Sequence, residues 1–98
     1  MLRITTREAG ERYLLTVEGR LTGVWVAELE ASWRAARRSP ARAIRVDLCE
    51  VDMVDAAGRY LLALMHASGA ELVARGCAMS QLIREVTGDA PADAPAPR

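Results

Sequence analysis

The segment from Ile44 to Met65 constrains the fold most, because its apolar residues change from strand spacing to helical spacing. At its start every second residue is apolar, at Ile44, Val46 and Leu48. After Asp55 the spacing becomes helical and predicts one inward side formed by Ala57, Leu61, Leu64, Met65 and Ser68. Asp55 is the predicted N-cap, since its carboxylate can accept hydrogen bonds from first-turn amides. We therefore expect a strand, a short acidic loop and a helix with an exposed start.

The residues before this segment predict a β-hairpin. Apolar and polar residues alternate from Leu2 onward, and a second strand is predicted from Tyr13 to Val17. Gly10 lies between these two runs and permits the tight backbone turn that a hairpin needs. A turn out of the second strand is predicted between two further glycines, Gly19 and Gly23.

A first helix is predicted from Val24 to about Arg38, with Thr22 available as its cap. It ends before Pro40, since the residue preceding a proline is disfavoured in the α region. Its inward side is predicted to comprise Trp25, Leu29, Ser32, Trp33 and Ala36. The two tryptophans could form a stacking platform for a ligand or a nucleic acid, but their spacing on one helix face favours core packing.

The second half of the chain predicts two strands and, after the helix that starts at Asp55, one more helix. The strands are Ala43 to Leu48 and Glu71 to Arg75, and the last helix runs from about Ser80 to Thr87 with Gly88 beyond its end. The remaining residues, 89–98, are mostly Ala, Pro and Asp and predict a disordered tail. We therefore predict one domain over residues 1–88.

The predicted element order is β, β, α, β, α, β, α, which indicates an α/β fold. We expect a small four-stranded mixed sheet with an N-terminal β-hairpin and about three helices packed on it. Binding sites in such sheets lie beyond the carboxyl ends of the parallel strands. The loop between Leu48 and Asp55 lies at that end.

Composition argues against several functions. The 98 residues carry 13 basic and 13 acidic side chains, so no net charge attracts a nucleic acid or an anionic membrane. All the basic residues are Arg. Cys49 and Cys77 lack a zinc-binding spacing and are expected to be reduced thiols. No apolar stretch is long enough for a membrane span, and no signal peptide is recognisable, so we expect a cytoplasmic protein without direct membrane insertion.

Three segments together resemble the STAS domain, the fold of anti-sigma-factor antagonists. Val46 to Gly76, which reads VDLCEVDMVDAAGRYLLALMHASGAELVARG, resembles the family's central signature, in which a strand leads to Asp-Ser-Ser-Gly or Asp-Ser-Ala-Gly at a helix start. VEGRLTG, upstream, resembles the segment before the family's first helix, and QLIREVTG, downstream, resembles its last conserved helix. The resemblance spans Leu2 to Gly88.

The resemblance implies a non-enzymatic protein-interaction module that binds a partner, such as an anti-sigma factor kinase, through the loop and helix starting at Asp55. In the family a Ser or Thr before the motif Gly is commonly phosphorylated, and the phosphate disrupts the complex. Ala56 and Ala57 occupy the matching positions, so this switch cannot operate here. The candidate partner-binding residues are Asp52, Asp55, Ala56, Ala57, Gly58, Arg59, Leu62, Ala63 and His66.

Other functions are also compatible with the sequence. A cytoplasmic STAS subunit of an ABC-type lipid transporter, which would bind an ATPase, is the first alternative, and a nucleotide-binding domain is the second. Three acids, Asp47, Asp52 and Asp55, suggest a Mg²⁺ or phosphoacceptor site, but strand-end and capping roles are favoured. A triad of His66 with Cys49 or Cys77 lacks support, so we expect no metal, no cofactor and no enzymatic activity. A homodimer is also compatible with the sequence.

Overall fold

The computed structural model describes residues 1–40, 43–89 and 91–93. Five strands form one sheet in the order β1-β2-β3-β4-β5. The strands are β1 (Leu2–Ala9), β2 (Arg12–Leu21), β3 (Ala43–Val54), β4 (Glu71–Ala74) and β5 (Ala92–Asp93). The helices are α1 (Val24–Arg38), α2 (Ala56–Ala67) and α3 (Cys77–Thr87). β1 and β2 are antiparallel, and all later neighbours are parallel.

The predicted α/β architecture is confirmed. The N-terminal β-hairpin, the mixed sheet and the three helices are present. β5 adds a two-residue strand within the predicted tail, where Ala92 and Asp93 pair with Val73 and Ala74. Residues 90 and 94–98 of that tail lie outside the described residues.

The three described helices form one layer on a single face of the sheet. α2 lies between α1 and α3 and contacts both. This follows from the strand order, since successive right-handed crossovers between adjacent parallel strands place every helix on the same side. The core between the layers contains Leu15, Val17, Val46, Leu48 and Leu72 from the strands and Leu29, Trp33, Leu61, Leu62, Met65 and Ile83 from the helices.

The first helix packs largely as predicted. Leu29, Trp33 and Ala36 are buried, and Trp25 is partly buried against the same core. The guanidinium of Arg37 lies 5.0 Å from the centroid of the Trp33 ring and covers its outer side. The tryptophans are therefore core residues rather than a stacking platform. The predicted cap is wrong, because the N-cap position belongs to Gly23, not Thr22.

β2 and β3 continue beyond their predicted ends. The predicted turn at Gly19 and Arg20 is part of β2, and β3 reaches Val54 rather than Leu48. Two register shifts between these strands leave an extra residue in β3 each time, as in β-bulges. The bulges interrupt the two-residue alternation after Leu48, so the next buried residue is Val51. Because of this interruption, the sequence pattern predicted an end of β3 that is too early.

α2 is rotated relative to its predicted orientation. The inward side consists of Gly58, Leu61, Leu62 and Met65, which are buried at i, i+3, i+4 and i+7 spacing. Ala57 and Ser68 are exposed, and Leu64 is 38% exposed. The predicted inward positions of Ala57, Leu64 and Ser68 are therefore wrong, whereas those of Leu61 and Met65 are correct.

This orientation predicts opposite outcomes for two neighbouring leucines of α2. Leu62→Ala should lower the free energy of unfolding by about 2–5 kcal/mol, because it leaves a cavity in a closely packed core. Leu64→Ala, on the same helix and of the same chemistry, should cost about 1 kcal/mol or less. Urea denaturation followed by circular dichroism measures both. Equal costs for the two variants would show that the helix has a different face inward.

Candidate functional site

The side chain of Asp55 holds together the starts of two helices. Its Oδ1 accepts a hydrogen bond from the Gly58 amide of α2, at 2.8 Å, which confirms the predicted N-cap. Its Oδ2 accepts a second bond, also at 2.8 Å, from the amide of Gly23 at the start of α1. One carboxylate thus satisfies an unpaired amide at each helix start. The second bond was not predicted, because its partner lies 32 residues away in the chain.

These hydrogen bonds determine the protonation of Asp55. The bond from the Gly23 amide, followed by the bond from the Gly58 amide, lowers the pKa of the carboxyl below its ordinary value of 3.8. The carboxylate form, which prevails at neutral pH for any ordinary aspartate, is therefore favoured further at Asp55. Its negative charge also faces the positive end of the α2 dipole, where an anion is favourable.

The start of α2 lies very close to the end of β2. The Asp55 amide donates to the Leu21 carbonyl at 3.2 Å. A Cβ added at Gly58 would lie 2.7 Å from that same carbonyl oxygen and 2.7 Å from a Val54 methyl group. Since real Cβ atoms do not approach other atoms so closely, only glycine permits this contact. The glycine of the motif is therefore required by packing, and its φ is not among the positive values.

Several apolar side chains are exposed around this junction. Val24 is 75% exposed, Met53 51% and Tyr60 74%. Val24 follows Gly23, Met53 precedes Asp55 by two residues, and Tyr60 is in the second turn of α2. We define the apolar patch as these three residues with Ala56, Ala57 and Leu64. Large apolar side chains that are exposed at adjoining element ends are suited to a protein-interaction site.

The structure changes the set of candidate partner-binding residues. Ala56, Ala57 and Asp52 are exposed, and Asp55 is partly exposed beside them. Leu62 is 0% exposed, so its predicted contact with a partner is wrong: the side chain belongs to the core. Gly58 is buried against the end of β2 and is likewise not accessible to a partner. Tyr60, Val24 and Met53 were not predicted, although Tyr60 follows Ala57 at i+3 on the same helix.

The remaining candidates lie on the side of α2 that faces α3. Arg59 forms an ion pair with Glu85 of α3 at 3.5 Å. His66 Nε2 lies 2.9 Å from a carboxylate oxygen of Asp89, just beyond α3. Ala63 lies between them along the helix and is partly buried. Arg59 and His66 therefore border the contact between α2 and α3.

The residues considered for catalysis are not arranged as a reactive group. Burial, followed by the hydrogen bond with Asp47, raises the pKa of the Cys49 thiol to about 11, so the thiol is protonated at neutral pH. Asp47 also accepts a hydrogen bond from the Cys49 amide at 2.9 Å. His66 is engaged with Asp89, and both cysteines are free. Within the described ranges, no group of three or more His, Cys, Asp or Glu could hold a metal ion.

The chain has the fold of anti-sigma factor antagonists, as the sequence resemblance implied. It is similar to the crystal structure of an anti-sigma factor antagonist from Mycobacterium paratuberculosis, with a TM-score of 0.76 and 22% identity, covering 90% of this chain and 79% of the other. It is also similar to the unphosphorylated anti-sigma factor antagonist SpoIIAA, with a TM-score of 0.66 and 16% identity, covering 97% of this chain and 90% of the other.

A third similar structure is an uncharacterised protein with a SpoIIAA-like fold from Shewanella loihica. Its TM-score is 0.57 at 14% identity, and the match covers 94% of this chain and 82% of the other. No protein-family model matches the sequence, and no curated protein matches it. Among the described residues, no helix is both long and apolar enough to cross a bilayer. These similarities define the fold.

We predict that Gly58→Ala destabilises the protein. Helix propensity alone would make the substitution stabilising by up to about 1 kcal/mol. The added methyl group meets a backbone carbonyl, which cannot move aside, so we expect a net loss of about 1–3 kcal/mol. Urea unfolding of the wild type and the variant measures the sign directly. A more stable variant would show that α2 does not approach Leu21 this closely.

The bonds to Asp55 also predict how stability depends on pH. Because the pKa is lower in the folded chain than in the unfolded chain, the carboxylate contributes stability above the unfolded value near 3.8. That contribution is lost as the pH falls through the folded value. We expect Asp55→Asn to lower the melting temperature at pH 7 and to reduce the loss of stability on acidification. Asp52→Asn, at an exposed neighbouring acid, serves as the control. A wild type and an Asp55→Asn variant with parallel acid profiles would contradict this role.

Proposed function

We propose that this chain is a protein-interaction module of the anti-sigma-factor-antagonist type, which binds a protein partner through the apolar patch. The observation that carries the proposal is the exposure of Val24, Met53 and Tyr60 around a rigidly held helix start. Large apolar and aromatic side chains in such a position supply the binding energy of protein interfaces. The fold shared with anti-sigma factor antagonists supports the same conclusion.

Asp55 supports this function by keeping the surface in one conformation. The two hydrogen bonds that it accepts, from Gly23 and Gly58, join the starts of the helices that carry Val24 and Tyr60. A surface that is already ordered loses less entropy when a partner binds. We therefore assign Asp55 a positioning role, with Asp52 at the rim and Ala56 and Ala57 in the contact area.

The two alanines imply a surface without the phosphorylation switch of the family. Ala56 and Ala57 lie in the exposed first turn of α2, where the resemblance places a phosphorylated Ser or Thr. Neither side chain has a hydroxyl to accept a phosphoryl group. We propose that the partner surface is permanently unmodified at this position, so binding is controlled by the amount or state of the partner.

A nucleotide at the same helix start is disfavoured by the arrangement of charges. A phosphate would use the first-turn amides of α2. The Gly58 amide already donates to Asp55, and the ionised carboxylate would repel a second anion there. This surface is therefore better suited to a protein partner than to a phosphate group.

The test uses two alanines of α2 that are both exposed. Ala57→Asp places a charge in the centre of the patch and should weaken partner binding by about 100-fold, because an unpaired charge buried in an interface is costly. Ala67→Asp adds the same charge at the other end of the helix and should leave binding unchanged. Circular dichroism confirms that both variants are folded.

The partners to measure are the anti-sigma factors and the transporter ATPases encoded in the same genome, each titrated against the purified chain by calorimetry. Binding of an anti-sigma factor that only Ala57→Asp disrupts would support the proposal. Binding of an ATPase alone would assign the chain to a transporter instead. Equal binding by both variants would show that the partner does not contact the start of α2.

A further inference from the structure

The face of the sheet opposite the helices carries a cavity of about 430 Å³. Since Leu15, Val46 and Leu72 face the helices, the residues that alternate with them point to the other side. None of the three described helices covers that side. The lining of the cavity includes Arg12, Leu14, Thr16, Arg45, Asp47 and Val73. Its volume lies within the range of about 300–1,000 Å³ that is usual for small-molecule sites.

The strand register places three arginines around one leucine on this face. Leu14 is directly opposite Arg7 of β1 and directly opposite Arg45 of β3. Arg12 precedes Leu14 by two residues on the same face of β2. Arg45 forms an ion pair with Glu71 at 2.6 Å, whereas no ion pair among the described residues engages Arg7 or Arg12. At this end of the cavity, Arg12 is therefore the guanidinium with which an added anion can pair, since Glu71 already holds Arg45.

The other end of the cavity combines a buried valine with two polar residues. Val73 is 1% exposed although it lies on the face without helices, and it is paired with Asp47 in the parallel register. Leu14 is partly buried and Thr16 follows it along β2. The one acid in the lining, Asp47, already accepts a hydrogen bond from the Cys49 amide. An anionic group would be repelled at the Asp47 end and attracted at the Arg12 end, so the cavity favours one orientation.

We propose that this cavity binds a small carboxylate that carries an apolar body. The carboxylate pairs with Arg12, which can donate two parallel hydrogen bonds to it, whereas Arg45 is already paired with Glu71. The apolar body lies over Leu14 and Val73. The site is distinct from the apolar patch, because Arg12 and Arg45 lie near the beginnings of β2 and β3 and the patch lies beyond their carboxyl ends.

The probe is decanoate, added to the full chain below its micelle-forming concentration. Methyl resonances of Leu14 and Val73 in two-dimensional NMR spectra report on the apolar part of the site. We expect these resonances to shift with a saturable dependence on decanoate. Decanol, which lacks the charge, and acetate, which lacks the apolar body, should each bind at least about tenfold more weakly.

Two arginine variants test the assignment of the head-group site. Arg12→Gln should weaken decanoate binding by about tenfold, since it removes a charge-assisted hydrogen bond. Arg3→Gln removes the same charge from the same face of the sheet outside the cavity lining and should leave binding unchanged. A partial loss in both variants would indicate only a general attraction of anions.

Three results would overturn the proposal. The first is the absence of any shift at Leu14 and Val73 with decanoate. The second is an equal response to acetate or inorganic phosphate, which would define a simple anion-binding surface. The third is a shift of the same methyl resonances on raising the protein concentration alone, which would assign this face to contact with a second copy of the chain.

Discussion

The structure depends on one carboxylate that accepts two backbone hydrogen bonds. Asp55 caps α2 through Gly58 and reaches across to the Gly23 amide, so the loops after β2 and β3 are fixed to each other. The Asp55 amide completes this connection by donating to the Leu21 carbonyl. Gly23 has a φ of 57°, a backbone conformation that favours glycine, and α1 has no side-chain cap of its own. The capping group for α1 is therefore supplied from the start of the next helix.

This connection brings together the elements that carry the exposed apolar residues. Val24 begins α1, Met53 is the next-to-last residue of β3 and Tyr60 follows the cap of α2, so each belongs to a different element. Their elements meet because parallel strands place the following helix starts at the same edge of the sheet. The absence of a Cβ at Gly58 then lets α2 approach β2 closely. The proposed binding surface and the core thus depend on the same few backbone contacts.

The sequence predicted the features that depend on local patterns. The bounds of α1, the cap by Asp55 and the burial of Trp33 follow from helical spacing and capping chemistry, and all are present. The orientation of α2 was not predicted correctly, because alanine, leucine and methionine occupy nearly every position from Leu61 to Ala67. Apolar residues therefore lie on every side of the helix, and their spacing does not identify the inward side. The buried position of Gly58 fixes that orientation, and an apolar pattern does not identify it.

Other features depend on contacts that no local pattern contains. The bulges in β3 arise from pairing with β2, and β5 exists only through its pairing with β4. α3 begins at Cys77 rather than near Ser80, since Gly76 provides no side-chain cap that would mark its start in the sequence. The acceptor for the Gly23 amide is the side chain of Asp55, 32 residues away in the chain. Capping by a distant residue is a tertiary interaction and requires the structure.

The charge at the start of α2 is set by Asp55. An aspartate is ionised at physiological pH, the lowered pKa of Asp55 favours this form further, and Ala56 and Ala57 have no group that titrates or accepts a phosphoryl group. The charge at this helix start is therefore constant near neutral pH. If the proposed function is correct, a change in affinity that acts at this helix start originates in the partner. The chain then presents a constant surface, and the conformation or concentration of the partner determines how much complex forms.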